Sequence, residues 1–189
     1  PLGEWILYAA CAQNRAWQKA GLAPVRMGVN LSALQFQQPD LIETIALVLK
    51  STGLEARYLE LEITESAAMA DMDNTVEVLR RLSELGISIA IDDFGTGYSS
   101  LSYLKKFPIQ QLKIDHSFVQ DVPGDSDNAA IVRAVVTMAH GLDLLGVAEG
   151  VETAPQIQFL REVGCDAGQG FYFKLPVPPE EIEELLRGL

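Results

Sequence analysis

The sequence predicts an α/β fold, a (β/α) barrel of the TIM type, and two observations lead to that prediction. Short runs of aliphatic and β-branched residues alternate with longer segments whose apolar residues recur at helical spacing. This alternation is typical of parallel strands joined by right-handed helical crossovers. In addition, each strand run carries a polar residue at its carboxyl end. Active sites of barrel proteins lie at this edge of the sheet. These residues are Asn30, Glu62, Asp92 with Asp93, Lys113, Glu149 and Gln169.

The elements follow one another in a regular order that begins with a helix. The predicted helices span residues 3–20, 41–51, 74–85, 99–107, 129–141, 155–163 and 180–187. The predicted strands lie between them at residues 26–31, 58–64, 88–92, 111–115, 145–149 and 168–173. Gly21 marks the end of the first helix, and Pro39 with Asp40 marks the start of the second.

An open, doubly wound sheet is the alternative to a barrel. Such a sheet usually carries a glycine-rich phosphate turn after its first strand, and no such turn follows Leu31. A closed barrel of this type has eight strands. We therefore expect one domain, residues 1–189, in which six of eight strands are present and about two lie upstream of Pro1.

Charge and composition exclude several classes of protein. The net charge of −12 and a pI near 4.5 disfavour DNA as a partner, although a small anion can still bind where cations are held. The two cysteines, Cys11 and Cys165, lack metal-type spacing and are interpreted as reduced thiols of a cytoplasmic domain. No apolar run of this chain is long enough to span a bilayer. A longer parent protein could still be attached to a membrane through another segment.

Acidic residues cluster at the predicted strand ends. Five carboxylates and one lysine are expected there: Glu62, Asp92, Asp93, Glu149, Glu152 and Lys113. Clustered like charges are costly unless a cation neutralises them, and hard divalent cations prefer oxygen ligands. His116 and His140 stand alone in strand and helix contexts, so oxygen-only ligation favours Mg²⁺ or Mn²⁺ over Zn²⁺. Each residue alone has a structural explanation, but their common placement indicates a site.

Several segments resemble one known family. They are residues 29–32 (VNLS), 62–65 (EITE), 92–101 (DDFGTGYSSL), 112–115 (LKID), 148–153 (AEGVET) and 169–170 (QG). In order and approximate spacing, over about residues 2–178, they are similar to the EAL-domain phosphodiesterases. The resemblance implies a modified eight-stranded barrel with a two-metal site that opens cyclic-di-GMP to linear pGpG.

The resemblance also implies roles for individual residues. The metal ligands would be Asn30, Glu62, Asp92, Asp93 and Glu149. Lys113 would hold the attacking water or a phosphate oxygen, Glu149 would act as general base or position the water, and Gln169 would assist at the same place.

Further residues would support the site. Glu65 would anchor the loop of residues 93–100, which couples substrate, metal and dimer interface, and Gly95 and Gly97 would let that loop move. Glu152 and Asp115 would support the metal ligands without binding the metal themselves. Gln35 and Pro176 would contact the substrate.

Three functional hypotheses remain. The first is a Mg²⁺- or Mn²⁺-dependent cyclic-di-GMP phosphodiesterase, homodimeric when intact and fused to upstream sensory or GGDEF-type domains. The second is a catalytically inactive EAL domain that binds the dinucleotide as a receptor, and the third is a protein-interaction module. The family's Glu-Ala-Leu segment, which supplies a metal ligand, is absent from this chain. His116 replaces a common arginine, and residues 174–176 (KLP) vary the usual ending.

Overall fold

In the part of the chain that the structure describes, residues 2–97 and 101–188 of a computed structural model, six parallel strands form one sheet. The strands are β1 (Met27–Leu31), β2 (Leu59–Thr64), β3 (Ser88–Phe94), β4 (Gln111–Ile114), β5 (Leu145–Ala148) and β6 (Ala167–Gly168). They lie side by side in the order of the chain. A doubly wound sheet would reverse its strand order at one point. The sequential order instead gives a sheet curled into half a barrel, which confirms the predicted fold class.

Ten helices accompany these strands within the described residues. They are α1 (Leu2–Lys19), α2 (Ala33–Phe36), α3 (Leu41–Thr52), α4 (Glu65–Met69), α5 (Met72–Glu84), α6 (Leu101–Leu104), α7 (His116–Val119), α8 (Ser126–Gly141), α9 (Ala154–Glu162) and α10 (Pro179–Leu186). The short helices α2, α4 and α7, which the sequence pattern did not predict, follow the carboxyl ends of β1, β2 and β4. None of the helices is both long and apolar enough to cross a membrane.

The two faces of the sheet differ in polarity. In β2, Leu59, Leu61 and Ile63 are fully buried on the face that packs against the helices. Because successive strand residues point to opposite faces, Glu60 and Glu62 lie on the inner face. The apolar core therefore sits between sheet and helices, and the inner face is free to carry polar groups.

A polar cluster occupies the lower part of that inner face, away from the carboxyl ends of the strands. Glu60 is 8% exposed, and its Oε2 accepts from Ser88 Oγ at 3.0 Å and from Gln111 Nε2 at 2.5 Å. Arg26 adds an ion pair at 3.4 Å. These contacts join β2 to β3 and β4, because a buried carboxylate is stable only when its oxygens are paired.

Strand β3 carries an irregularity near its carboxyl end. Its pairing with β4 shifts register between Ile91 and Phe94. Asp92 and Asp93 therefore share the stretch of β3 that faces the single residue Lys113 of β4, as in a β-bulge. Asp93 has a φ of 52°, in the left-handed region that few residues other than glycine adopt.

The prediction of a sixth strand at residues 168–173 is wrong beyond its first residue, because β6 ends at Gly168. Gly170 has a φ of 155°, and a Cβ there would lie 2.2 Å from the Val151 carbonyl oxygen. The chain then turns, with the Tyr172 N–H donating to the Val151 carbonyl at 2.9 Å and the Phe173 N–H to the Gly170 carbonyl at 3.1 Å. Close contact with the backbone of another loop replaces strand pairing here.

The predicted helix at residues 99–107 is also shorter at its carboxyl end. Its first two residues lie outside the described part of the chain, and α6 ends at Leu104. The Lys106 N–H donates to the Tyr103 carbonyl at 2.7 Å, and the Phe107 N–H donates to the Leu104 carbonyl at 3.2 Å, which are bonds of tight turns. Pro108 accounts for this ending, since a residue before proline disfavours helical geometry.

Candidate metal centre

A buried lysine stands at the centre of the inner face near the carboxyl ends of the strands. Lys113, on β4, is 3% exposed. Its Nζ lies 2.5 Å from Glu62 Oε2 of β2, 3.3 Å from Asp92 Oδ1 of β3 and 2.6 Å from Glu149 Oε1, just after β5. Four consecutive strands thus deliver one charged side chain each to one place, as the sequence predicted.

The pKa values of this group reflect burial and the excess of carboxylates. Burial raises the pKa of Glu149 above its ordinary value, and the charges of Asp92 and Glu62 raise it further, although Lys113 opposes them. Burial alone would lower the pKa of Lys113, but its hydrogen bonds to Glu149 and Glu62 hold it above the ordinary value. Three carboxylates outnumber one ammonium group, so the centre keeps a negative charge that attracts a further cation.

The donor set fits a hard divalent cation. Glu62, Asp92 and Glu149 each offer a carboxylate oxygen, and these oxygens all lie within 4.8 Å of one another. Asn30 of β1 pairs in register with Glu62, so its side chain shares the same face of the sheet. Carboxylate and amide oxygens are the ligands that Mg²⁺ and Mn²⁺ prefer. The residues present can therefore bind a metal.

A second acidic residue of β3, Asp93, lies at the irregularity of that strand. In a regular strand Asp92 and Asp93 would point to opposite faces. Here the Asp93 N–H donates to Asp92 Oδ1 at 3.0 Å. Burial, then the charges of Asp92 and Asp115, raise the pKa of Asp93. Asp115 is 6% exposed and accepts from the Ser117 N–H at 2.9 Å, which holds its carboxylate in place at the start of α7.

The loop after β3 is tied to the first residue of α4. Glu65 is 2% exposed, and its Oε2 accepts from the N–H of Gly95 at 2.8 Å and of Gly97 at 3.4 Å. A Cβ at Gly97 would lie 2.9 Å from Glu65 Oε1, so a side chain there would push the carboxylate away. The loop of residues 93–100 was predicted to depend on Glu65, and its last three residues lie outside the described part of the chain.

A cavity of about 250 Å³ opens beside Glu149. Its lining consists of His116, Glu149, Gly150, Glu152, Gln169, Gly170 and Phe171. The Gln169 N–H donates to the Ala148 carbonyl at 2.8 Å, which holds Gln169 next to the end of β5. Glu152 and Gln169 are exposed. Glu152 and Gln169, two of the predicted site residues, thus line a solvent-accessible space that adjoins the charged centre.

Each histidine has one carboxylate partner, and neither is among the residues that converge on Lys113. His116 is the first residue of α7, lines the cavity, and lies 3.3 Å from Asp115 Oδ2 through its Nδ1. His140 Nε2 lies 2.9 Å from Asp166 Oδ2. The sequence alone could not show that His140 pairs with Asp166, because the two residues are 26 positions apart in the chain.

Two predicted substrate contacts lie away from these interactions. Gln35 is engaged in a capping box at the start of α2, where its Oε1 accepts from Ser32 Oγ at 2.8 Å and from the Ser32 N–H at 3.2 Å. Pro176 is exposed in the irregular segment before α10. Both substrate contacts remain predictions.

Sequence reasoning missed two buried polar residues outside the charged centre. Glu60 lies two residues before Glu62, so strand alternation already placed it on the same face. Gln156 lies three residues after Thr153 and completes a capping box with it, a pattern visible in the sequence.

Comparisons with known proteins agree with the geometry. The profile of the EAL domain matches residues 1–176. The bifunctional diguanylate cyclase/cyclic di-GMP phosphodiesterase MucR of Pseudomonas aeruginosa is 48% identical over 96% of this chain, and the match covers 26% of MucR. The cyclic di-GMP phosphodiesterase NbdA of the same organism is 45% identical over 98% of this chain and 24% of its own length. This chain thus spans about a quarter of the length of these relatives.

A solved structure extends the comparison to three dimensions. The complex of the PaMucR phosphodiesterase with c-di-GMP superimposes with a TM-score of 0.93 at 48% identity, over 96% of this chain and 73% of that one. The fold of this chain is therefore shared with a domain that was solved with this dinucleotide.

Proposed function

This chain belongs to the EAL domain family, and from that membership we propose that it hydrolyses cyclic-di-GMP to linear pGpG as a metal-dependent phosphodiesterase. The observation that carries the proposal is the convergence of Glu62, Asp92 and Glu149 on Lys113. A receptor without catalysis has no need of a buried metal-binding carboxylate set. The named activities of MucR and NbdA support the same reaction.

The metal would be Mg²⁺ or Mn²⁺, and the ligands would be Asn30, Glu62, Asp92, Asp93 and Glu149. When bound, divalent cations neutralise the phosphodiester and lower the pKa of a water molecule. The oxygen-only donor set and the excess negative charge of the centre support this choice of ion.

The chain's own residues would then position the reactants. Lys113 Nζ would hold the attacking water or a non-bridging phosphate oxygen, since an ammonium group is a strong donor and a permanent charge here. Glu149, whose pKa burial raises, would accept the water's proton as general base. Gln169, which lines the same cavity as Glu149, would orient the same water, and Glu152 would support Glu149. The roles of Gln35 and Pro176 as substrate contacts are part of the same proposal.

We also propose that the intact protein is a homodimer fused to further signalling domains. The small fraction of MucR and NbdA that this chain matches supports the presence of other domains in such proteins. A cytoplasmic location is proposed because Cys11 and Cys165 are free thiols.

The test is hydrolysis of cyclic-di-GMP by the intact protein and by its Asp92→Asn variant. The change removes a charged ligand while it preserves shape, so we expect turnover in Mg²⁺ or Mn²⁺ to fall by more than about 100-fold. Asp40→Asn is the matched control, because Asp40 is exposed and makes no side-chain cap bond at the start of α3. Turnover of Asp92→Asn within tenfold of the parent would contradict the role of Asp92 as a metal ligand.

Calorimetry separates the alternatives. An enzyme is expected to bind the dinucleotide and to hydrolyse it once metal is added. A receptor would give heat without product, and an interaction module would give no heat with or without Mg²⁺.

A further inference from the structure

Gln156, in the first turn of α9, uses its whole side-chain amide on backbone groups of two separate segments. It is 3% exposed. Its Oε1 accepts from the N–H groups of Glu152 at 2.7 Å and Thr153 at 2.8 Å. Its Nε2 donates to the carbonyls of Val119 and Gln120, both at 3.0 Å.

The two segments carry different parts of the centre. The acceptor side holds the loop between β5 and α9, which begins with Glu149 and contains Glu152. The donor side holds the carboxyl end of α7, the short helix that follows Lys113 and Asp115 along the chain. An amide oxygen and an amide nitrogen thus link the loops that follow β5 and β4.

Two neighbouring loops also pack tightly against helix α7. A Cβ at Gly150 would lie 2.7 Å from His116 Cβ, and a Cβ at Gly95 would lie 2.9 Å from Phe118 Cε2. The loop after β3 and the loop after β5 therefore touch opposite ends of one short helix. A displacement of α7 relative to the loop after β5 would move Glu149 relative to Lys113.

We propose that Gln156 is a positioning residue for the hydrolysis proposed above. By joining the loop of residues 149–153 to α7, it sets the place of Glu149 relative to Lys113 and the metal. Its effect is indirect, because no contact of Gln156 reaches the charged centre among the described residues. The inference rests on the proposed function only for its catalytic consequence, since the link itself is a matter of geometry.

Two substitutions separate the two halves of the amide. Gln156→Glu keeps the acceptor oxygens for Glu152 and Thr153, and so keeps α9 capped. It replaces the donor with a carboxylate that faces the Val119 and Gln120 carbonyls, which breaks the link to α7. Gln156→Met removes both halves while it keeps the length of the side chain.

Asn14→Leu is the matched control. Asn14 is fully buried, and its Nδ2 donates to the carbonyls of Val25 at 3.0 Å and Tyr58 at 3.2 Å. Those carbonyls precede β1 and β2, at the opposite edge of the sheet from the charged centre. Its loss should destabilise the fold as a buried amide does, without moving the loops that carry Glu149 and α7.

The experiment measures two quantities on the intact protein at a temperature where every variant is folded by circular dichroism. The first is the affinity for Mn²⁺ alone, by calorimetry. The second is the steady-state rate of cyclic-di-GMP hydrolysis, which gives kcat and KM. Residues that hold metal ligands in place typically contribute 10- to 100-fold to metal affinity or activity, and small misplacements have effects of similar size. We expect Gln156→Glu to weaken Mn²⁺ binding and to lower kcat at least tenfold, with Asn14→Leu within about threefold of the parent in both.

The outcomes are distinct. If Gln156→Glu and Gln156→Met both keep Mn²⁺ affinity and kcat within about threefold of the parent, or if Asn14→Leu loses as much as they do, the positioning role is overturned. If the parent protein does not hydrolyse the dinucleotide, the proposed function fails, and the Mn²⁺ affinities alone decide whether Gln156 places Glu149.

Discussion

Lys113 shows how a single residue makes a cluster of buried acids tolerable. Its side chain is 4% exposed, and those of Glu62, Asp92 and Glu149 are at most 18% exposed. Buried carboxylates that lack a partner would become protonated or would destabilise the fold. The ammonium group supplies the missing partner from within the chain, so the sheet can form before any metal binds.

Replacement of that ammonium group should make the fold depend on metal. In Lys113→Met the three carboxylates lose their shared partner, and we expect the free energy of unfolding of the metal-free protein to fall by about 3–5 kcal/mol. Saturating Mn²⁺ should restore part of this loss, because it neutralises the same oxygens. Urea unfolding with and without Mn²⁺ measures both effects.

The control for that measurement is Lys105→Met, which removes an exposed lysine. It should leave unfolding unchanged within about 0.5 kcal/mol. An equal loss of stability for Lys113→Met with and without Mn²⁺ would show that the lysine does not balance the metal-binding carboxylates.

Asp166 is a second residue whose charge matters, and it acts through pH. Its Oδ2 accepts from the Gly146 N–H at 2.8 Å and lies 2.9 Å from His140 Nε2. Burial would raise the pKa of Asp166, but these two partners hold it below the ordinary value. A carboxylate with a lowered pKa in the folded state stabilises the protein at pH values above its ordinary pKa of about 3.9. That contribution is lost as pH falls through the lowered value.

The prediction concerns the difference between the parent and Asp166→Asn. At pH 7 the parent should be more stable by about 1 kcal/mol, a modest value because the side chain is partly exposed. The difference should shrink between about pH 5 and pH 2 and should not grow there. Thermal unfolding across this pH range checks it, and a constant difference would argue against the charged form as its source.

At the scale of elements, the loop after β3 depends on Glu65 at the start of α4. In Glu65→Ala, the N–H groups of Gly95 and Gly97 lose their common acceptor. We expect turnover to fall at least tenfold, because that loop directly follows Asp92 and Asp93 along the chain. We also expect a weaker homodimer in sedimentation, as the resemblance to the family implies for this loop.

Glu55→Ala is the control for that change, since Glu55 makes an exposed ion pair with Arg57 at 2.9 Å. It should leave turnover and sedimentation as in the parent. If Glu65→Ala behaves in the same way, the loop does not need its anchor.

Elements with clear alternation were predictable from the sequence, and irregular ones were not. In β2, Leu59, Leu61 and Ile63 alternate with polar residues, so the strand and its two faces follow from the pattern. After β6, the aromatic residues 171–173 resemble a continued strand in the sequence, but the close contact of the Gly170 backbone with Val151 turns the chain away from the sheet. That contact joins distant parts of the chain and leaves no periodic signal.

The same difference applies to the charged centre. Its members were predictable because the carboxyl ends of parallel strands meet at one edge, which brings Glu62 to Lys113 and Glu149. The left-handed backbone conformation of Asp93 was not predictable, because it depends on an extra residue in β3 relative to β4. Pairing register is a property of two strands, and one strand's sequence does not contain it.

At the scale of the whole molecule, the sheet has two outer strands. Among the described residues, β1 pairs with β2 alone and β6 with β5 alone. Near β6, Phe171, Phe173 and Leu175 are each more than half exposed. Unpaired strand edges and apolar side chains promote association between molecules, which closed barrels avoid.

Residues 1–189 expressed alone should therefore self-associate or unfold at a lower temperature than the intact protein. Sedimentation and thermal unfolding of the two proteins side by side provide the measurement. A monodisperse monomer that unfolds cooperatively at the temperature of the intact protein would show that these edges are harmless.

The extra residue in β3 also has a consequence for how such a domain changes over evolution. Loss of the one codon for Asp93 would let Asp92 face Lys113 and keep Phe94 opposite Ile114, which restores an even ladder. It would also remove the left-handed backbone conformation at Asp93, whose φ is 52°. The shortened strand would keep the cluster of carboxylates around Lys113, but it would lose one acidic group at the carboxyl ends of the strands. For the phosphodiesterase proposed above, the step from catalyst to inactive dinucleotide binder would therefore be short, and selection for stability alone would not oppose it.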